Sequence, residues 1–247
     1  MFGVASGQSV TDSHTIHELL FRLKPDLIIE LGTFCGGSAV QMAIAQQMYN
    51  PAATLITFDV RDATKAWDCI QPPGAKWAQS LTPFGLPGVQ TPQWKALTAS
   101  GRLQPRVGSA LLPGNRAWLR EAAAKARVVL IIDDGDHRAG PITRAFRGLS
   151  DLVSNGSYYL VQDTRLDFEC AYVTLTTGNP GWKYCDDILK NGGPAAALER
   201  IKQTRAFRKG AWVQDRELER WGFTMHPGGY LRKGSPVVEW PPPLPTV

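Results

Sequence analysis

LKPDLIIELGTFCGGSA, residues 23–39, holds the pattern from which the fold is read. Pro25 disfavours helix at Lys24, so an amphipathic helix carrying Leu19, Leu20 and Leu23 stops there, and Leu27 to Ile29 forms a short buried strand. A glycine-rich turn follows, and Ser38 to Met48 has helical spacing. Strand, glycine loop and helix make the opening unit of an open α/β sheet. Such sheets bind ligands beyond the carboxyl ends of their strands.

Outward from this unit the rhythm repeats. TLITFDV (54–60), RLQPRVGSA (102–110), VVLIIDD (128–134) and SYYLVQDT (157–164) are four further strand-like runs. Between the last two, Ile142, Phe146, Leu149 and Leu152 fall at helical spacing before Asn155-Gly156. Alternating strands and helices predict βαβ crossovers, a mostly parallel sheet and one domain over 1–247. In the tail, Phe223-Thr224-Met225 and Tyr230-Leu231 read as strands joined by the Pro-Gly-Gly turn, and 241–247 as an extended, frayed end. Residues 61–101 lack a period and are rich in proline, glycine and tryptophan, which marks a lid or a disordered insertion. Trp67, Trp77 and Trp94 either pin that stretch to the core or form a platform for a ring or sugar.

Composition excludes several classes. The chain has 247 residues, 43% of them apolar, enough to fill a sizeable core. Its net charge of +5 comes from scattered lysines and arginines, which argues against a nucleic-acid partner. No apolar run approaches the roughly 20 residues of a membrane span. Cys35, Cys69, Cys170 and Cys185 show no CxxC spacing, and no charged-then-apolar leader opens the chain. The expectation is a cytoplasmic protein without a disulfide framework.

The strand ends carry the chemistry. Glu30, Gly32, Gly36 and Gly37 form E-x-G-x-x-x-G-G, not the dinucleotide G-x-G-x-x-G, and a carboxylate at Glu30 suits a cationic ligand better than a pyrophosphate. Asp59, ending the second strand, is placed to accept both hydroxyls of a ribose. Nucleoside plus positive charge points to S-adenosylmethionine; the bland alternative is glycines that merely turn the chain and an Asp59 that caps a helix. Asp133, Asp134, Asp136 and His137 emerge at the same edge, joined by Gln162 and Asp163 from the fifth strand. Asp134, Asp163 and Gln162 are hard oxygen donors suited to Mg²⁺ or another divalent cation, and His137 is the candidate base. The bland alternative caps a helix with His137 and leaves the aspartates in solvent. His14, His17 and His226 read as surface or packing residues, with His226 in its tight turn also a candidate for a substrate mouth.

LKPDLIIELGTFCGGSA, LIIDDGDH, LVSNGSYYLVQDT, NGGPAAALER and GFTMHPGGYLRK, in this order and spacing, resemble the rhamnosyl O-methyltransferase and cephalosporin hydroxylase family over roughly 8–60 and 100–233. The resemblance implies a Rossmann-like class I methyltransferase: a seven-stranded, mostly parallel sheet with an antiparallel last strand and helices on both faces. It implies a divalent metal held by Asp134 of a D-x-x-H pattern and by an acidic pair after strand five. Asp163 fits the second member of that pair, while Gln162 stands where related enzymes carry glutamate. Glu30, Gly32, Gly37 and Ser38 would hold the methionine end of the cofactor, with Thr33, Gly36 and Asp133 as further cofactor-binding residues. Asp59 would hold the ribose and Ser109 the adenine region. The family also allows a homo-oligomer. Only His137 stands near the acids along the chain, so a two-histidine iron site is not expected.

The leading expectation is O-methylation of a small hydroxylated acceptor, a rhamnosyl-type sugar or a natural-product glycoside. An aromatic, catechol-like hydroxyl is the alternative acceptor. A cofactor-binding partner weakened in catalysis by Gln162 is the reading from another class. A nicotinamide dehydrogenase is disfavoured by Glu30 and the missing G-x-G-x-x-G.

Overall fold

A computed structural model describes residues 4–5, 8–65, 86–178 and 185–235. Seven strands form one sheet: β1 (Leu27–Leu31), β2 (Thr54–Asp59), β3 (Leu103–Val107), β4 (Val129–Asp133), β5 (Tyr158–Val161), β6 (Trp212–Gln214) and β7 (Tyr230–Lys233). Their spatial order is β3-β2-β1-β4-β5-β7-β6. All neighbours are parallel except β7, which runs antiparallel to both β5 and β6. The strand order reverses between β1 and β4, so their carboxyl ends flank the crevice in which open α/β sheets take ligands.

Helices cover both faces. α1 (Val10–Leu23), α2 (Gly37–Tyr49) and α3 (Pro92–Ala99) pack on one; α4 (Pro113–Ala124), α5 (Ala139–Leu149) and, further along, α8 (Pro194–Lys202) pack on the other. The central strands are mostly apolar, with Glu30 and Thr57 as buried exceptions, because each alternates between two buried faces. Ile28, Leu55, Leu130 and Leu160 face α1 to α3, while Ile29, Ile56, Ile131 and Tyr159 face α4, α5 and α8.

Two glycines are required by close backbone approach. Gly32 ends β1 at φ 98°, and a Cβ there would lie 2.1 Å from the Asp134 carbonyl oxygen. Only glycine lets β1 and β4 open into their loops this close together. Gly32→Ala is expected to cost more than about 3 kcal/mol, beyond the ordinary single-site loss, read as a shifted urea midpoint. Gly36, at φ 75°, would drive a Cβ into the Trp94 ring.

The structure corrects three readings. The partner of β7 is Trp212–Gln214, not residues 223–225. Met225 donates its N–H to Asp12 Oδ2 at 2.9 Å and Thr224 donates its hydroxyl to Asp12 Oδ1 at 2.5 Å, so this turn is drawn to α1 and not into a strand ladder. Residues 61–101 are not uniformly irregular: Thr91 accepts the Trp94 N–H, Pro92 opens α3, and buried Trp94 and Leu97 join the core. Trp94 is thus a pin; residues 66–85 of the expected lid, with Trp67 and Trp77, and the 241–247 end lie outside the described residues. Disulfides are present. α6 (Leu166–Thr177) and α7 (Cys185–Asn191) bring Cys170 and Cys185 to a Cα separation of 5.2 Å, within bonding range, and Cys35 is disulfide-bonded as well. The first helix ends as its sequence predicts, at Leu23 with Lys24 as its left-handed cap, and begins at Val10.

No helix among the described residues is long and apolar enough to cross a membrane.

Candidate active site

A cavity of about 830 Å³ opens over the carboxyl ends of β1 to β4. Gly32, Asp59, Ser109, Asp133 and His137 all line it. Asp59 is fixed by the loop of the first strand: its Oδ2 accepts the Phe34 N–H at 2.8 Å and its Oδ1 the Arg61 N–H at 2.9 Å. Phe34 holds φ 45°, a costly left-handed backbone for a side-chain-bearing residue, which brings that N–H inward. Ser109 is anchored through its carbonyl to Asn115 Nδ2 at 2.8 Å.

Glu30, Thr33 and Ser38 are not among the residues that line this cavity. Glu30 is fully buried; Ser38 donates to its Oε1 and Thr57 to its Oε2, both at 2.5 Å, and the Thr33 and Thr57 hydroxyls meet at 2.7 Å. Burial pushes the Glu30 carboxyl up to about 8 against the opposing pull of those hydroxyls, so near neutrality it offers little negative charge. Gly36 and Gly37 open α2 beside it.

At the other end of the crevice, Asp134, His137 and Asp163 converge, each offering one ligand atom with all three within 4.8 Å of one another. His137 Nε2 lies 3.0 Å from Asp163 Oδ2 and 3.6 Å from Asp134 Oδ1. Asp163 adopts φ 54°, again a left-handed backbone at a strand end. Burial raises the pKa of Asp134. Burial alone would lower that of His137, but hydrogen bonds and charge from Asp134 and Asp163 prevail and push it up to about 10. Two close carboxylates that need a cation between them are a donor set that fits a hard divalent ion. Gln162 stands beside the cluster, buried; its Oε1 accepts from Gln8 Nε2 at 3.4 Å, while its Nε2 has no hydrogen-bond partner among the described residues.

Burial likewise raises Asp133 to about 7, although Tyr159 donates its hydroxyl to Oδ2 at 2.7 Å. Glu30, Asp133 and His137 therefore all hold protons more tightly folded than unfolded. A folded pKa raised above the unfolded one gives stability that is complete below the unfolded value and lost as pH rises through the folded value. From an ordinary 6.5 to about 10 for His137, with Glu30 losing its share by about 8 and Asp133 by about 7, the losses add. In chelator the protein is expected to melt at a lower temperature at about pH 8.5 than at about pH 6.5 by scanning calorimetry; an equal or higher midpoint contradicts this.

Four residues around the site have roles that the sequence does not announce. Arg138 donates from Nε to Asp136 Oδ1 at 2.8 Å and from Nη1 to Asp187 Oδ2 at 3.4 Å, tying α7 to the cavity wall. Asp187 is 49 positions away, so no local spacing announces it. Thr57 is an interior strand position whose role depends on its neighbour β1. His226 is 1% exposed, so it does not line an open substrate mouth; its Nδ1 accepts the Asp163 N–H at 2.7 Å.

The family model described as Rhamnosyl O-methyltransferase/CmcI matches residues 1–76 and 106–234. Curated rhamnosyl O-methyltransferases of Mycobacterium tuberculosis H37Rv and Mycobacterium bovis BCG are each 24% identical over 230 residues, 93% of this chain and 76% of theirs. Among solved structures, CmcI with Mg-SAM aligns at TM-score 0.51 and 16% identity, covering 92% of this chain and 73% of that one. An apo CmcI structure gives 0.52 at 16% identity, over 92% and 72%. These likenesses agree on the fold.

Proposed function

Because the chain belongs to the Rhamnosyl O-methyltransferase/CmcI family and is an S-adenosylmethionine-dependent O-methyltransferase, we propose that it methylates a hydroxyl of a rhamnosyl-type sugar or natural-product glycoside with the help of a divalent cation. The observation that carries this reading is the meeting of Asp134, His137 and Asp163 at the edge of the cavity.

In the proposed arrangement Asp59 accepts the ribose hydroxyls, Gly32 lets the cofactor lie against the end of β1, and Ser109 borders the adenine region. Bound there, the cofactor would supply a sulfonium methyl for transfer to a hydroxyl held near the acidic cluster. Asp134 and Asp163 would hold Mg²⁺ or a similar ion, with Gln162 as a third, neutral ligand after a side-chain rotation away from Gln8. Such an ion would acidify an acceptor hydroxyl and orient it. His137 Nε2 takes the hydroxyl proton while the acceptor oxygen attacks the methyl carbon. The new O–C bond forms as the S–C bond breaks, and S-adenosylhomocysteine leaves with the sulfur lone pair. His137 cannot accept that proton while two uncompensated carboxylates keep it an imidazolium. Neutralising them frees Nε2, so ion and base are coupled through the same two aspartates.

The test is acceptor profiling by mass spectrometry with and without chelator. Expected are methylated rhamnosyl glycosides and S-adenosylhomocysteine in Mg²⁺, and loss of both in chelator with recovery on adding Mg²⁺ back. Equal turnover in chelator would remove the cation from the account; methylation of catechols alone would remove the sugar.

A further inference from the structure

The turn that joins β6 to β7 is gripped by a carboxylate from the opposite end of the chain. Asp12, in the first turn of α1, is fully buried. It accepts the Thr224 hydroxyl on Oδ1, and on Oδ2 the Met225 N–H at 2.9 Å and the Ser9 hydroxyl at 2.6 Å. The next residue is His226, whose N–H donates to Thr224 Oγ1 at 2.9 Å. One side of its ring faces Asp12, with Nε2 3.8 Å from Oδ2; on the other side Nδ1 accepts the Asp163 N–H at 2.7 Å. An accepting Nδ1 puts the proton of a neutral imidazole on Nε2, the nitrogen turned to the Asp12 carboxylate. Nε2 is buried and has no hydrogen-bond partner among the described residues, so this carboxylate is what opposes its dipole.

The consequence falls on Asp163. A non-glycine residue keeps φ 54° only when its surroundings hold it there. The hydrogen bond to Nδ1 fixes the peptide plane that enters Asp163, one of the two sides whose relative rotation is φ. The flanks are stitched to the same turn: Thr164 donates its hydroxyl to the Pro227 carbonyl at 2.8 Å and Arg165 its N–H to the Met225 carbonyl at 3.1 Å. Held so, Asp163 directs its carboxylate at His137 and Asp134.

We propose that Asp12 and His226 are a positioning pair: Asp12 sets the imidazole, and His226 Nδ1 locks the Asp163 backbone in the conformation that aims its carboxylate at the cation site. This rests on the reading of Asp134 and Asp163 as cation ligands. Groups that orient metal ligands typically affect metal affinity by about 10–100-fold when removed.

The experiment titrates the full-length protein with Mn²⁺, without cofactor, by electron paramagnetic resonance of the free ion. His226→Leu keeps bulk but removes the acceptor and is expected to weaken Mn²⁺ binding by about 10–100-fold, with S-adenosylmethionine affinity unchanged by calorimetry. His226→Asn returns an acceptor oxygen to the position of Nδ1 and is expected to restore most Mn²⁺ affinity, a rescue that a packing role would not give. Asp12→Asn, which drops the charge facing Nε2, is expected to weaken Mn²⁺ several-fold and serves should the leucine variant not fold. Leucine as tight as the natural protein, or asparagine as weak as leucine, overturns the pair; an unchanged Asp12→Asn overturns its first member. If the natural protein itself binds no Mn²⁺, the cation reading fails and takes this inference with it, an outcome distinct from the others.

Discussion

Replacing His137 with alanine is expected to lower turnover by about 10²–10⁴-fold, the usual range for lost general-base catalysis, while leaving S-adenosylmethionine affinity nearly unchanged. The imidazole borders the cavity but sits at its acidic end, 3.0 Å from Asp163, so its loss removes a proton acceptor and not a cofactor contact. Its removal also deletes the internal cation between two aspartates. The alanine variant should therefore bind Mn²⁺ at least as well as the natural protein. Turnover within about twofold of the original would end the assignment of His137 as base, and reduced cofactor affinity would move its role to binding. Single-turnover kinetics with saturating cofactor separates the two.

The second large effect belongs to Asp134. Asp134→Asn keeps the shape and removes one of the two charges. Lewis-acid help of several kcal/mol corresponds to a turnover loss on the order of 10³, at 1.36 kcal/mol per tenfold. The variant has a second signature that His137→Ala lacks. Hydrogen bonding and charge from Asp134 contribute to holding the His137 pKa up near 10, so without the cation that pKa should fall toward the ordinary 6.5. Imidazole proton resonances followed across pH report it directly. A His137 pKa unmoved in the variant would mean that Asp163 alone holds the proton, and an unmoved turnover would exclude Asp134 as a ligand.

Much of this arrangement is legible in the chain because the sheet is buried on both faces. Leu27–Ile29, Leu55–Ile56 and Val129–Ile132 have no polar face to disguise them, and a parallel sheet sends every acid that ends a strand to one edge. Asp59, Asp134 and Asp163 are read correctly as edge residues for that reason. What escapes is whatever depends on tertiary partners. Trp212–Gln214 is only three residues long and becomes a strand because β7 exposes a free edge beside Trp212's core pocket. α3 carries a local signal, Thr-Pro-x-Trp with a capping threonine, but the proline-rich stretch before it masks the period. Cys170 and Cys185 bond because two helices pack side by side, a proximity that CxxC spacing does not address. Glu30 reads as a charge facing the ligand, yet its strand position aims it at Thr57 and Ser38. His226 is 63 positions from the residue it supports, and nothing in HPGG announces Asp163 as its partner.

The central claim is that Asp134 and Asp163 hold a divalent cation between them, next to His137 and within reach of the transferred methyl. Anomalous diffraction from crystals soaked in Mn²⁺ and S-adenosylhomocysteine tests it most directly. The account predicts one strong anomalous peak bonded to a carboxylate oxygen of each aspartate, on the side of the cofactor sulfur. A cofactor in place with no peak there, and the imidazolium of His137 still bridging the two carboxylates, would contradict it.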